Sequence, residues 1–263
     1  MKRLIRRSLA EFIGVMVFTA SVVGVHTAVT LSSLAGLATA TVLGVMTLLT
    51  LNVSGGHLNP AVSLYFLARR QISVSYFFSY LAAQLLGALA GAWLGGFVWG
   101  ASNLAIVAGQ EALGGAFASE VLATAVLITL FGYLSANKKS QLIPVAVAAW
   151  TFAAGVFTVT GAIANPALTF GRLFTPNTQV NLSFNVAANY LMAQLLGVLL
   201  AVIVTSFILG KVSLQKVVTF SFTSKARSAS KKKGSKNRIA LKSAPKSSKP
   251  KGLKLPMQNS KKR

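Results

Sequence analysis

The stretches "GGHLNPAVSL" (55–64) and "ANPALTFG" (164–171) decide how this chain folds, because each sets an Asn-Pro-Ala tripeptide into an otherwise apolar region. Pro60 and Pro166 lack an N–H and fix φ, so each suits the first turn of a new helix rather than the interior of an old one. Asn59 and Asn165, directly before them, suit N-caps, with Ala61 and Ala167 continuing the first turn. The runs 59–68 and 165–174 therefore read as short helices. Ten residues of helix rise roughly 15 Å, about half of a 30 Å hydrocarbon core. Neither run can cross a bilayer.

The rest of the chain is built to cross one. Of 263 residues, 54% are hydrophobic and 11% charged, the mean hydropathy is +0.65, and there is no Cys. The acids are Glu11, Glu111 and Glu120, with no Asp, which is far too little charge for the surface of a soluble domain this long. Disulfides and thiolate metal sites are excluded. The formal net charge of +23 is concentrated in the tail: seventeen of the 26 Lys and Arg lie in 211–263, among Ser and Pro. That composition buries too little apolar surface to offset its ordering entropy and predicts a disordered tail.

Segments at about 8–29, 34–53, 73–98, 115–135, 142–160 and 185–209 are long and apolar enough to span. The first has a basic start like a signal peptide, but its length, Glu11 and the missing cleavage signal predict a retained span. Lys2, Arg3, Arg6, Arg7, Arg69, Arg70, Lys138, Lys139 and the tail all fall on one side of a six-span chain, and only Arg172 falls on the other. Both termini are therefore expected in the cytoplasm.

The chain also repeats. "YLAAQLLGALA" (80–90) returns as "YLMAQLLGVLL" (190–200), Glu11 as Glu120, and Asn-Pro-Ala as itself, at offsets of 106 to 110 residues. Repeats of about 1–100 and 110–210 each hold three spans, so the second must run inverted through the membrane. Two half-helices would then enter from opposite faces and meet near the midplane, their unpaired N–H groups converging. The loops leading into them would be non-helical at membrane depth, which is tolerated only when buried in protein or lining a wet cavity. Gly55, Gly56 and Gly161 allow the backbone angles such loops need.

On "SGGHLNPAV" (54–62), the second "NPA" (165–167), "AEF" (10–12) and the repeat, the sequence resembles the aquaporin (major intrinsic protein) family over about residues 5–210. The resemblance implies an all-α membrane protein of six helices plus two re-entrant half-helices, commonly a homotetramer. It implies a channel domain at 1–210 and does not cover the basic cytoplasmic tail at 211–263, which composition alone predicts to be disordered. Asn59 and Asn165 would aim amide donors at the passing molecule. Backbone carbonyls around Gly55 to His57 and Gly161 to Ile163 would accept its hydrogen bonds. Glu11 and Glu120 would support the loops, and His57 would brace its own.

The family typically follows the second motif with Arg, whereas this chain has Leu168. The partner filter positions implied are Thr39, Ala153 and Ala162, all small or weakly polar, so a wider and less charged filter is expected. Thr169 stands where glycerol-conducting relatives carry Asp, and Arg172, one turn beyond Leu168, is a candidate for a displaced positive charge at the mouth. The expected cargo is water with small uncharged solutes such as glycerol, urea or ammonia, protons being excluded. The site expected is a plasma-membrane, multi-pass protein among lipids.

No catalytic triad, dyad or metal cluster can be assembled from two distant His and two intramembrane Glu, so no enzyme, metal or cofactor is expected. The rival reading is an ion-coupled secondary transporter, since inverted repeats and broken helices serve those too. The basic tail could contact anionic lipid or nucleic acid.

Overall fold

The computed structural model describes residues 1–28, 32–98, 100, 114–175 and 180–210; the basic tail and its expected disorder lie outside the described residues. Among the described residues the helices, in chain order, are α1 (Lys2–Ala28), α2 (Ser32–Ser54), α3 (Pro60–Ala68), α4 (Val74–Val98), α5 (Ala116–Ala136), α6 (Ile143–Phe157), α7 (Pro166–Arg172) and α8 (Phe184–Ile208), with a 3-10 turn, Ser140–Leu142, before α6. Six of them are long and apolar enough to cross a membrane, and α3 and α7 are the two short ones. The expected spans are therefore present. The first starts earlier than its apolar run because the basic residues from Lys2 to Arg7 are already helical.

Polarity is inverted relative to a soluble protein. Phe207 is 88% exposed and Val145 71%, while Glu11, Gln84, Glu120 and Gln194 are all at 0%. An apolar exterior suits lipid, and the buried polar groups sit where helices can satisfy them.

α1 packs along α4 and α5 along α8, the two equivalent pairs of the repeat, and α2 against α6 joins the halves. α3, from the first half, touches α5 and α8 of the second, and α7 touches α1 and α4 of the first. Each short helix is thus enclosed partly by the other repeat, which brings both of their N-termini to the interior.

Close approach of α1 and α4 depends on glycine. A Cβ on Gly87 would lie 2.5 Å from the Phe12 carbonyl, one on Gly91 2.4 Å from that of Met16, and one on Gly95 2.7 Å from that of Ala20. Four-residue spacing puts these glycines on one helical stripe, so the backbones meet along a seam as small residues permit in membranes. At α8 the equivalent stripe keeps Gly197, whose Cβ would lie 2.7 Å from Thr124, and continues with Ala201 and Thr205.

Gly91→Ala forces a methyl against a backbone oxygen that cannot yield without moving α1, and should cost about 1–3 kcal/mol. Thermal unfolding in detergent should show a lowered midpoint for Gly91→Ala and none for Gly36→Ala, where the added Cβ meets only Phe152 at 3.9 Å.

Candidate functional site

Asn59 and Asn165 are the N-caps of α3 and α7, both with extended backbone. Asn59 Oδ1 accepts from the Ala61 N–H at 2.8 Å; Asn165 Oδ1 accepts from Ala167 at 3.0 Å and Leu168 at 3.4 Å. Their amide nitrogens reach across the repeat. Asn59 Nδ2 donates to the Ala164 carbonyl at 2.8 Å, and Asn165 Nδ2 to the Leu58 carbonyl at 2.9 Å. An amide carries two N–H groups, so this clasp uses one from each asparagine and leaves one for a molecule between them.

The loops behind the caps adopt a left-handed backbone not only at Gly55, Gly56 and Gly161, as their glycines predict, but also at Leu58 (φ 48°), Ala162 (φ 53°) and Ala164 (φ 44°). Residues with a Cβ are disfavoured there, at a cost of about 1–3 kcal/mol each, and stay only where the surroundings hold them. Two carboxylates do the holding. Glu11 Oε1 accepts from the His57 N–H at 3.1 Å and Ser54 Oγ at 2.5 Å, and Oε2 from the Leu58 N–H at 2.6 Å and Gln84 Nε2 at 2.8 Å. Glu120 Oε1 accepts from the Ile163 N–H at 3.0 Å, and Oε2 from the Ala164 N–H at 2.8 Å and Gln194 Nε2 at 2.7 Å.

Leu58 and Ala164 are therefore fixed at both ends: the N–H on a glutamate, the carbonyl on the opposite asparagine. Gln84 and Gln194 also donate to Ser63 Oγ (3.1 Å) and Thr169 Oγ1 (3.0 Å), tying glutamate to half-helix in both repeats. His57 Nδ1 lies 3.0 Å from Ser63 Oγ, and its ring stacks on Phe66 at 4.7 Å between centroids.

A narrow cavity runs past this clasp. The room for the centre of a water-sized sphere is about 20 Å³, enough to admit water. Asn59, Asn165, His57 and the loop residues Ala162, Ile163 and Ala164 line it. α2 contributes Leu43 and Thr47, and α6 contributes Val147, Trp150 and Thr151. Phe18, Val62, Leu127 and Phe131 close the remaining sides with apolar surface.

The four positions implied for a selectivity filter fare differently. Ala162 lines the cavity. Thr39 is buried one turn beyond Leu43 on the same face of α2, its hydroxyl donating to the Ala35 and Gly36 carbonyls at 3.0 Å each. Leu168, in the first turn of α7, is buried in the apolar core rather than on this lining. Ala153 is exposed. Counting back from Asn165 crosses seven non-helical residues, 158–164, and cannot carry the phase of a helix through them. The inward stripe of α6 is Val147, Trp150, Thr151 and the fully buried Ala154, while Val145, Ala148, Ala149 and Phe152 line an outward apolar groove.

Arg172 is half-buried, and its Nε donates to the Val180 carbonyl, fastening the end of α7 to the segment that leads into α8. α7 stops at Arg172, short of 174, as the chain tightens into turns with Leu173 on Phe170 and Phe174 on Gly171. Sequence reasoning missed Gln84, Gln194 and Trp150. The repeated string "AQLLG" carried the two glutamines in view, but only their fully buried contacts with the glutamates give them a role.

Glu120→Ala leaves the buried N–H groups of Ile163 and Ala164 unpaired, at about 1–3 kcal/mol each. Its thermal midpoint in detergent should fall well below that of Glu120→Gln, which keeps one carbonyl oxygen as an acceptor.

Comparison with known proteins bears on this geometry. The family model described as MIP, Major intrinsic protein, matches residues 1–157, ending before the second Asn-Pro-Ala. The lens fiber major intrinsic protein of Gallus gallus is 41% identical over 109 residues, 38% of this chain and 39% of that one. The aquaglyceroporin AqpS of Rhizobium meliloti (strain 1021) is 29% identical over 215 residues, 78% of this chain and 91% of the relative. The chain spans well under two thirds of the first curated relatives it matches, 39% of the lens protein and 18% of human aquaporin-5. The X-ray structure of the aquaglyceroporin from Plasmodium falciparum superposes with a TM-score of 0.58 at 19% identity, covering 82% of this chain and 99% of that one, which establishes the fold. With six spanning helices, two opposed half-helices and a family match over more than half its length, this chain is a multi-pass membrane protein of the major intrinsic protein family.

Proposed function

We propose that the chain is a passive channel for water and small uncharged solutes, with glycerol, urea and ammonia as candidates besides water. The observation that carries this is the clasp of Asn59 and Asn165, each with an amide N–H left over, on a cavity that both line. A water between them accepts from both amides with its oxygen, so its own hydrogens turn away from the direction that would pass a proton along the file. Two helix N-termini converging there add positive potential that repels cations. The relatives named aquaporin and aquaglyceroporin support the same reading.

An ion-coupled transporter is disfavoured by the state of its only acids among the described residues. Glu11 receives four donors and Glu120 three, two of them backbone N–H groups in each case, so neither has a face to offer a coupling ion.

The charge pattern of the sequence and the family resemblance support the remaining features of the proposal. Both termini lie in the cytoplasm of a plasma-membrane protein, the assembly is a homotetramer, and the Lys-rich tail 211–263 rests on anionic lipid or nucleic acid. The channel domain ends near 210, where the apolar sequence gives way to the basic tail. Of the filter positions the family implies, Ala162 lines the path and Thr39 continues the same face of α2, a less charged section than one bearing Arg.

Stopped-flow light scattering on proteoliposomes tests the reading. Water should cross faster than in protein-free vesicles under an osmotic gradient alone, with no response to an imposed proton or sodium gradient. A pH-sensitive dye inside the same vesicles should report proton entry no faster than the lipid control. Flux that follows an ion gradient would instead establish the transporter.

A further inference from the structure

We infer that Trp150 sets the largest solute this pathway admits, in place of the missing filter arginine; the inference rests on the channel reading above. Small or weakly polar residues at Thr39, Ala153 and Ala162, with Leu168 in place of Arg, suggest a wide passage when read from the sequence. The geometry reverses that. Ala153 is exposed, Leu168 is withdrawn into the core, and the helical phase of α6 turns Trp150 and Thr151 toward the cavity.

The indole is held in place. Trp150 Nε1 donates to the Ala123 carbonyl of α5 at 3.0 Å, and its ring meets Phe157 edge-on at 5.9 Å between centroids. That bond occupies the only polar group of the side chain, so the ring offers the cavity apolar surface and no donor. Phe18 and Phe131 add two further aromatic rings to the same lining.

The consequence is a size limit joined to a polarity limit. The rings of Trp150, Phe18 and Phe131 narrow the passage, and a three-carbon polyol is wider than water. A three-carbon polyol would also have to shed hydration from hydroxyls that meet ring faces, and unpaired polar groups in an apolar environment are costly. Water needs only Asn59, Asn165 and the loop carbonyls. Trp150 thus makes the pathway selective for solutes of water's size although the outer filter lacks its cation.

The test is the ratio of glycerol to water permeability in proteoliposomes, measured for the wild type and for Trp150→Ala, Trp150→Leu and Trp150→Phe. The wild type should conduct water with glycerol near the lipid control. Trp150→Ala should raise the ratio by at least roughly tenfold, the scale on which a change of pocket size discriminates, and Trp150→Leu by less. Trp150→Phe, which keeps a ring and loses the Nε1–H, should bring the ratio back toward wild type. Rapid glycerol flux in the wild type, or a ratio unchanged in Trp150→Leu and Trp150→Ala, overturns the role of Trp150. Where Trp150→Ala fails to fold, the wild type and Trp150→Leu decide. A wild type that passes no water at all defeats the channel reading itself, a different result from an unchanged ratio.

Discussion

The rest of the structure depends on one pair of hydrogen bonds, Asn59 Nδ2 to the Ala164 carbonyl and Asn165 Nδ2 to the Leu58 carbonyl. They join two loops that enter from different repeats, and they do so at residues whose backbone is left-handed without being glycine. Such a conformation is uphill by about 1–3 kcal/mol per residue, so something must hold it. The carboxylates of Glu11 and Glu120 supply that, because a hydrogen bond to a charged acceptor contributes about 1.5–3 kcal/mol, more than a neutral one.

This explains why an acid stands in each half of a chain otherwise nearly free of them. A carboxylate offers two oxygens and roughly four lone-pair sites, enough to take two successive backbone N–H groups and a glutamine side chain together. A neutral amide offers half as many acceptor atoms. Burying such a group in a membrane is tolerated when every site is used, and here the spare capacity of Glu11 goes to Ser54. The support is duplicated: glutamate, glutamine and a hydroxyl on the half-helix recur in both repeats, as Glu11, Gln84 and Ser63, then Glu120, Gln194 and Thr169.

The duplication is not complete, and besides the glycine stripe of α4 it departs on the half-helices. α3 carries Tyr65, whose hydroxyl donates to Thr205 at 3.1 Å, and Phe66, which stacks on His57. At the matching positions α7 has Gly171, which lies against α4 so closely that a Cβ would sit 3.0 Å from the Ala88 carbonyl, and Arg172, which turns to Val180. α7 is the shorter helix, and the family match ends before it. The second repeat keeps the clasp and has drifted elsewhere.

Local chemistry sufficed for much of this. Pro60 and Pro166 can only begin helices, Asn59 and Asn165 can only cap them usefully, and apolar length and the period of about 106 to 110 residues dictate six spans in two inverted sets. Those are properties of a residue and its neighbours, so they survive without coordinates. Which face of α6 turns inward does not: seven non-helical residues between α6 and Asn165 break the count, so Ala153 is exposed and Trp150 meets the cavity. The pairing of Gln84 with Glu11, 73 residues away, and the left-handed turn at Leu58 and Ala164 were equally invisible. Both arise from packing between distant segments, where the energy of a buried donor is decided by what the fold brings against it rather than by what precedes it in the chain.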